Sequence, residues 1–329
     1  MNEVRMPALT GGSPLGILAA IGVLRLLGDY TADPPKLRWE KRGLTAVLVS
    51  ERPTIDEVVA DLTEIVLSIA EGSVLPGLPG GFPPPGAAPD QLRVPQGEFR
   101  ERRQMMLASM DSAEAREADR WLASLVTDLA ADSQQGRVAI SQFTAPSGKQ
   151  SMATMLEKPL EQVRRRPELL AQALVGWRRV PGVTGEYLDH RAMWDAAEDG
   201  SGTTGSMRGV PGATWLALMS YPLMRTTGSI RKRPATSGWH ELRDGRRPVD
   251  ELRLPVWRQP LGPEAVVALI EHPALAPDSP RRVDEPAGER DPEVSRQRDR
   301  EMLGVIHVCR ARRWQPTGCK SAGVLRTLE

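Results

Sequence analysis

The segment FTAPSGKQS, residues 143–151, comes closest in this chain to the residue types and spacing of a phosphate-binding loop. Gly148 and Lys149 stand just before a predicted helix, as at the end of a nucleotide-binding P-loop. The P-loop pattern also needs a glycine five residues before Gly148 and a hydroxyl after the lysine, where this chain has Phe143 and Gln150. Nucleotide hydrolysis is therefore not predicted. Two interpretations remain open: the turn binds a phosphate through backbone N–H groups and the Lys149 ammonium, or it is a solvated turn with a capping serine.

The acidic segment EYLDHRAMWDAAEDG, residues 186–200, is the other set of side chains that could do chemistry. Its carboxylates could hold a divalent cation, but their irregular spacing around Trp194 favours a solvated loop anchored by a buried tryptophan. None of the four histidines stands at the i, i+4 spacing of a helical metal site or beside a nucleophile. Cys309 and Cys319 lack the short spacing of a zinc or redox pair. We therefore predict no catalytic residue, no metal site and no cofactor.

Arginine clusters are the main indication of a partner. The net charge is only +1, so an electrostatic function has to come from local clustering. The planar guanidinium binds phosphates and base edges bidentately, and the clusters lie on or beside predicted turns. They indicate a nucleic-acid-binding surface, with a merely solvated arginine-rich surface as the alternative. The predicted nucleic-acid-binding residues are Lys149, Gln150, Arg164, Arg165, Arg166, Arg178, Arg179, Arg231, Lys232 and Arg233.

The stretch GGSPLGILAAIGVLRLL, residues 11–27, could bind an anion, span a membrane or open a packed helix. Its glycine turn contains no lysine or arginine, which disfavours a phosphate loop. Eleven residues run from Pro14 to Leu24 before Arg25 interrupts them, whereas a spanning helix needs about 20 apolar residues. We predict a helix capped by Ser13 that ends near Gly28. Its small residues allow another backbone, expected to be the sheet of the same domain, to approach closely.

The elements that position these residues are helices and short, irregular strands, so the predicted fold class is α+β. A Pro/Gly-rich internal loop at 76–97 cannot form a regular helix or a central strand and is expected to be exposed. The predicted helices span 13–28, 54–71, 98–132, 151–157, 167–177, 213–221 and 263–271. The predicted strands span 37–40, 44–50, 137–143 and 304–314, with strand-like pieces between 228 and 257.

Three parts of the chain are expected. Residues 1–272 form the main α+β domain, which includes the loop at 76–97. Residues 273–293 are charged, proline-rich and poor in large apolar side chains, so they form a linker. Residues 294–329 form a C-terminal strand, which carries Arg310, Arg312 and Arg313, and a tail. Few cysteines and no recognisable signal peptide indicate a cytoplasmic protein.

Several motifs occur in the order seen in CRISPR-associated proteins of type I-G (formerly I-U) systems. They are GGSPLGILAAIGVLRLL, FTAPSGKQSM, WDAAEDG, VPGATWLALMSYPLMRTTG, ATSGWH and LPVWRQPL. The chain resembles the large-subunit-like or helicase-extension proteins of that group from Gly11 to about Glu271. It is short for a large subunit, so part of that role is expected to belong to another protein.

The resemblance implies a large-subunit-like fold and a non-catalytic role in an RNA-guided, Cascade-like DNA surveillance complex. Such a subunit reads a short motif beside the target and helps recruit a separate helicase-nuclease. The implied partners are guide RNA, target DNA, other effector subunits and that helicase-nuclease, without a membrane. Two other hypotheses remain: an adaptor that holds proteins without contacting nucleic acid, and an enzyme that is a metal-dependent nuclease or an NTPase. The adaptor would use Trp194, Trp215, Trp239 and Trp257 as anchors.

Overall fold

The computed structural model describes residues 1–84, 92–131, 136–144, 151–181, 187–189, 208–229, 233–244, 247–277, 292–314 and 324–328. Helices and small antiparallel sheets are mixed along the chain, in agreement with the predicted α+β class. The helices are α1 (Pro14–Tyr30), α2 (Ile55–Ser68), α3 (Gln96–Ala108), α4 (Ser112–Leu125), α5 (Met152–Arg165), α6 (Glu168–Val175), α7 (Pro211–Met219), α8 (Pro263–Ile270) and α9 (Pro292–Met302). The strands are β1 (Asn2–Thr10), β2 (Lys36–Trp39), β3 (Thr45–Ser50), β4 (Val126–Ala131), β5 (Val138–Ile140), β6 (Val180–Pro181), β7 (Arg208–Gly209), β8 (Thr226–Gly228), β9 (Pro234–Thr236), β10 (Trp239–Asp244), β11 (Arg247–Trp257), β12 (Val305–Trp314) and β13 (Val324–Thr327).

The N-terminal sheet has the strand order β1-β3-β2. Its β2–β3 hairpin confirms the strands predicted at 37–40 and 44–50. Thr54 caps α2 as its position predicts, because its hydroxyl accepts a hydrogen bond from the Glu57 N–H. β1 is not predicted from the sequence, although Val4 and Met6 show the alternating burial of a strand with one face on the core.

α1 confirms the prediction of a capped, buried helix. The Ser13 hydroxyl accepts a hydrogen bond from the Gly16 N–H, and every residue of α1 up to Leu27 is buried. Gly22 lies against the backbone of Leu216 in α7, so the small residues do permit a close approach. The expected partner is wrong, because α1 packs mainly against α7 and only secondarily against the sheet.

Arg25, which interrupts the apolar stretch of α1, is fully buried. Its guanidinium donates hydrogen bonds to the carboxylates of Asp29 and Glu117 and to the Met219 carbonyl. It also lies over the Trp121 ring, 5.4 Å from the ring centroid. This buried charge joins α1, α4 and the end of α7, since a buried guanidinium is tolerated only with such partners. Within the described ranges, no helix combines the length and apolar character needed to cross a bilayer.

The single long helix predicted over 98–132 is wrong. The chain forms α3, breaks, forms α4 and continues as β4. Asp111 starts a new helix, because its carboxylate accepts hydrogen bonds from the Ala113 and Glu114 N–H groups. Residues 126–131 then pair with β5, so their ladder hydrogen bonds run between strands and not along a helix.

The Pro/Gly-rich segment at 76–97 is more buried than predicted. In its described part, Leu78, Phe82 and Leu92 are buried. The Tyr30 hydroxyl donates a hydrogen bond to the Pro76 carbonyl at 2.9 Å, which fixes the start of the segment against α1. The expectation of an exposed loop is wrong for these residues, because apolar side chains between the prolines and glycines reach the core.

The C-terminal sheet has the strand order β10-β11-β12-β13 and is antiparallel. β11 precedes the predicted linker at 273–293 and β12 follows it. The segment 294–329 therefore shares a sheet with the region predicted as the main domain. At the start of the predicted linker, Pro273–Leu275 forms a short 3-10 helix with Leu275 buried, and α9 begins at Pro292.

Candidate functional site

All three members of the arginine cluster at the end of α5 have partners within the protein, and Arg165 has the weakest, an exposed pair with Glu161 at 3.7 Å. Arg164 donates from Nη2 to the Ile69 carbonyl at 2.5 Å, at the C-terminal end of α2. Arg166 donates from Nη2 to the Gln162 Oε1 atom at 2.7 Å. Arg165 is the exposed member, with 71% of its side chain accessible to solvent. Within this cluster, Arg165 is therefore the best placed to contact a phosphate.

The second arginine pair lies beside the short ladder of β6 and β7. Arg179 Nη2 lies 2.6 Å from Asp189 Oδ2, and Arg179 Nη1 donates to the Arg208 carbonyl. Asp189 is 4% exposed, so this carboxylate forms a buried ion pair and does not face solvent as a cation ligand. Arg178 is exposed next to it. Among the residues that the structure describes, no three His, Cys, Asp or Glu side chains come together as a metal site.

Arg233 contacts two carboxylates of the C-terminal sheet. Its Nη1 lies 2.7 Å from Glu241 Oε2, and its Nη2 lies 3.4 Å from Asp250 Oδ2. The described members of the predicted interface therefore lie against three different parts of the fold. Several residues considered in the sequence analysis lie outside the described residues: Lys149, Gln150, Glu186, Trp194, Asp195, Glu198, Asp199, Arg231 and Lys232.

A cavity of about 460 Å³ lies beside the N-terminus of α1. Its described lining includes Gly12, Ser13, Trp177 and Asp189, and contains no lysine or arginine. The carboxylate of Asp189 is already paired with Arg179, and the described lining supplies no cation that would favour a phosphate at the helix N-terminus. This arrangement supports the interpretation of the turn as the start of a packed helix.

A cluster that the sequence analysis did not select surrounds Glu251 on β11. The Glu251 side chain is fully buried and accepts hydrogen bonds from three arginines. Arg310 Nε lies 2.9 Å from Oε1, Arg312 Nε lies 3.0 Å from Oε2, and Arg253 Nε lies 2.9 Å from Oε1. One buried carboxylate thus holds three guanidinium groups side by side.

The register of β11 and β12 brings these four side chains together. Glu251 pairs with Arg312, and Arg253 pairs with Arg310, so all four project from one face of the sheet. Ala311, between the two β12 arginines, is buried on the opposite face. The alternation over 310–312 is visible in the predicted strand 304–314, but the glutamate partner is 59 residues distant from Arg310 in sequence. Local sequence does not reveal that pairing.

Burial and charge act in opposite directions on Glu251. Burial is the largest single influence and raises its pKa. Hydrogen bonds from Arg310 and Arg312, together with the positive charge of Arg253, outweigh burial and hold the pKa of Glu251 below its ordinary value. The carboxylate is therefore ionised at neutral pH and orients the arginines around it.

His240 on β10 pairs with Glu251 and lies beside the same cluster. Burial, followed by the positive charge of Arg253, lowers the pKa of His240 from 6.5 to about 4, although the charge of Glu251 opposes this shift. The imidazole is therefore neutral at neutral pH. Its Nε2 atom is buried without a hydrogen-bond partner among the described residues.

Replacing His240 with glutamine should reduce the loss of unfolding free energy that the protein shows as the pH falls below neutral. Because the folded pKa is about 4 and the ordinary value is 6.5, the unfolded chain binds an extra proton between these pH values. The free energy of unfolding of the wild type should therefore fall by as much as about 3 kcal/mol as the pH is lowered from 6.5 to about 4, at 1.36 kcal/mol per pKa unit. The variant should not show this decrease. Urea unfolding at about pH 7 and about pH 5 measures the difference. A difference between wild type and variant that stays constant over this range would contradict the assignment.

The face of the C-terminal sheet that carries Glu251 also presents cations and an aromatic ring to solvent. Arg310 is 42% exposed and Arg312 is 30% exposed. Trp314 follows in the same alternation along β12 and is 41% exposed. Arg326 on β13 pairs with Arg312 and is exposed. We call these four residues the arginine face.

Comparisons with known proteins assign no function to the arginine face. No protein-family model matches this chain, and no curated protein matches it. The candidate function therefore depends on the residues of the site and on the resemblance of the ordered motifs.

The tryptophans proposed as adaptor anchors are core residues where the structure describes them. Trp215 and Trp257 are fully buried, and Trp239 is 7% exposed. The Trp257 indole donates a hydrogen bond to the Leu37 carbonyl at 2.8 Å, which joins the C-terminal sheet to the N-terminal sheet. These three side chains therefore stabilise the fold and do not present an anchoring surface to a partner.

Proposed function

We propose that this protein is a non-catalytic, large-subunit-like component of a type I CRISPR surveillance complex and contacts nucleic acid through exposed arginines. The observation that carries the nucleic-acid contact is the arginine face, on which Arg310, Arg312 and Arg326 reach solvent. A guanidinium binds a phosphate through two parallel hydrogen bonds, a geometry that lysine does not offer. The resemblance to type I-G proteins supports membership of the complex.

In this proposal, base pairing by the guide RNA supplies sequence specificity, and the protein reads a short motif beside the target DNA. Lys149 and Gln150 contact a phosphate at a helix start, while Arg231, Lys232 and Arg233 contact duplex DNA or the displaced strand. The other predicted arginines add attraction to the backbone. The complex forms in the cytoplasm with other effector subunits and helps recruit a separate helicase-nuclease.

Removing the basic cluster at 231–233 should weaken DNA binding and reduce its salt dependence. A full chain with Arg231→Ala, Lys232→Ala and Arg233→Ala releases fewer counterions when it binds. The slope of log affinity against log salt on duplex DNA should become shallower by about 0.9 for each lost phosphate contact. Arg326→Ala should produce one such step. Fluorescence anisotropy of a labelled duplex over a series of salt concentrations measures these slopes.

Arg5→Ala is the matched control for these variants. Arg5 is 65% exposed on β1 in the N-terminal sheet and pairs with Glu40, whereas both basic surfaces lie on or beside the C-terminal sheet, so its removal should leave the slope unchanged. A wild-type slope in both the triple variant and Arg326→Ala would remove these residues from the proposed interface.

Absence of this chain from complexes purified with the other effector subunits would contradict its membership of the surveillance complex. Metal-dependent DNA cleavage that Asp195→Ala abolishes would contradict the non-catalytic role.

A further inference from the structure

We infer that the arginine face binds single-stranded nucleic acid, with Trp314 stacking on a base and the neighbouring arginines binding phosphates. The inference rests on the proposed function for the presence of nucleic acid. It goes beyond that function by naming the strandedness of the ligand and the residue that recognises it.

The strand geometry places the ring and the cations in a row. Alternate residues of a strand project from the same face about 7 Å apart, so Arg310, Arg312 and Trp314 follow one another along β12. Arg326 lies beside Arg312 on the adjacent strand, about 5 Å away across the sheet. A chain of nucleotides laid along β12 would therefore meet cationic groups next to an aromatic surface.

Glu251 holds the two arginines of this row in place before a ligand binds. It holds Arg310 through Nε and Nη2, at 2.9 and 3.2 Å, and it holds Arg312 through Nε at 3.0 Å. These hydrogen bonds fix the planes of both guanidinium groups before a ligand arrives, which lowers the entropy lost on binding. Both side chains nevertheless keep a substantial exposed fraction.

Trp314 distinguishes a single strand from the other polyanions that arginines attract. Every base of a single strand offers a π-face that can stack on an indole, and such stacking depends little on base identity. The bases of a duplex are already stacked on one another and expose only their edges. An acidic peptide matches the arginines but offers no ring to Trp314. A single strand is therefore the ligand that uses all four residues of the arginine face.

The test compares a labelled single-stranded thymidine oligonucleotide with a duplex of the same length, using the full chain and fluorescence anisotropy. Trp314→Ala should weaken single-strand binding by about 10-fold or more, from the usual contribution of one base–aromatic stack. Trp314→Phe should retain most of the affinity, because it keeps an aromatic face. Duplex affinity should change by less than about 2-fold in both variants, since duplex bases do not reach the ring.

Two further variants distinguish a loss of binding from a loss of folding. Leu67→Ala removes an apolar side chain that is 66% exposed on α2, and it should leave single-strand binding unchanged. Arg326→Ala removes a charge without touching Trp314, and it should make the salt slope on the single strand shallower by about 0.7. Thermal unfolding of each variant verifies that it is folded.

The outcomes separate this inference from the proposed function. Equal single-strand affinity of wild type and Trp314→Ala, with nucleic-acid binding intact, would overturn the inference alone. Displacement of the oligonucleotide by poly-glutamate at equal charge concentration would show that the face binds acidic segments, and would also overturn it. Failure of the wild-type chain to bind either single strand or duplex would overturn both.

Discussion

Replacing Gly22 with alanine should destabilise the protein by about 3 kcal/mol or more, toward the upper end of the cost of overpacking a core. A Cβ atom at this position would lie 1.7 Å from the carbonyl oxygen of Leu216 and 2.7 Å from its carbonyl carbon. These are backbone atoms of α7, so no side-chain rotation relieves the clash and the two buried helices would have to separate. Urea unfolding of the full chain measures the loss.

Gly28→Ala provides the matched control in the same helix. A Cβ atom on Gly28 would meet Pro263 Cγ at 3.5 Å, which is an ordinary van der Waals contact. Because alanine is the better helix former, this variant should be unchanged or more stable by about 0.5–1 kcal/mol. Similar losses for Gly22→Ala and Gly28→Ala would show that the clash with α7 does not control stability. Neither change should act selectively on nucleic-acid binding, because both positions lie on α1.

The small residues of α1 illustrate how far the sequence predicts the fold. Glycine and alanine on one side of a capped apolar helix predict that a backbone approaches there, and Gly22 confirms it. The identity of that backbone was not predictable, because Leu216 is distant in sequence and periodicity describes a face without naming its partner. The long helix predicted over 98–132 failed for a related reason. The capping hydrogen bonds of Asp111 and the pairing of β4 with β5 compete with helix propensity, and the second of these is a tertiary contact.

The arginines show the same limit at the candidate site. A run of basic residues predicts charge, but it does not reveal which guanidinium groups contact the protein itself. Arg164 binds the end of α2, and Arg179 binds buried Asp189. The alternating Arg310 and Arg312, by contrast, show the period of a strand with one polar face. The sequence does not show that the two arginines share a partner, because it is the pairing of β11 with β12 that brings Glu251 to both of them.

Glu251→Gln should destabilise the protein by about 3–5 kcal/mol at neutral pH, the usual cost of removing one partner from a buried ion pair. Glutamine keeps the shape of the side chain but loses the charge that Arg253, Arg310 and Arg312 share. Its amide also places a donor group where the carboxylate accepts hydrogen bonds. The three guanidinium groups would then repel one another around an uncharged centre.

The same variant has a pH signature and a matched control. The folded pKa of Glu251 lies below its ordinary value of 4.5, so its contribution is complete above about pH 4.5 and is lost as pH falls through the folded pKa. The difference in free energy of unfolding between wild type and Glu251→Gln should therefore become smaller at acid pH. Glu241→Gln removes a carboxylate from the exposed pair with Arg233, and it should cost less than about 1 kcal/mol. Equal losses for the two variants would mean that Glu251 does not organise the arginine face, and Trp314 and its neighbours would then lack a preformed support.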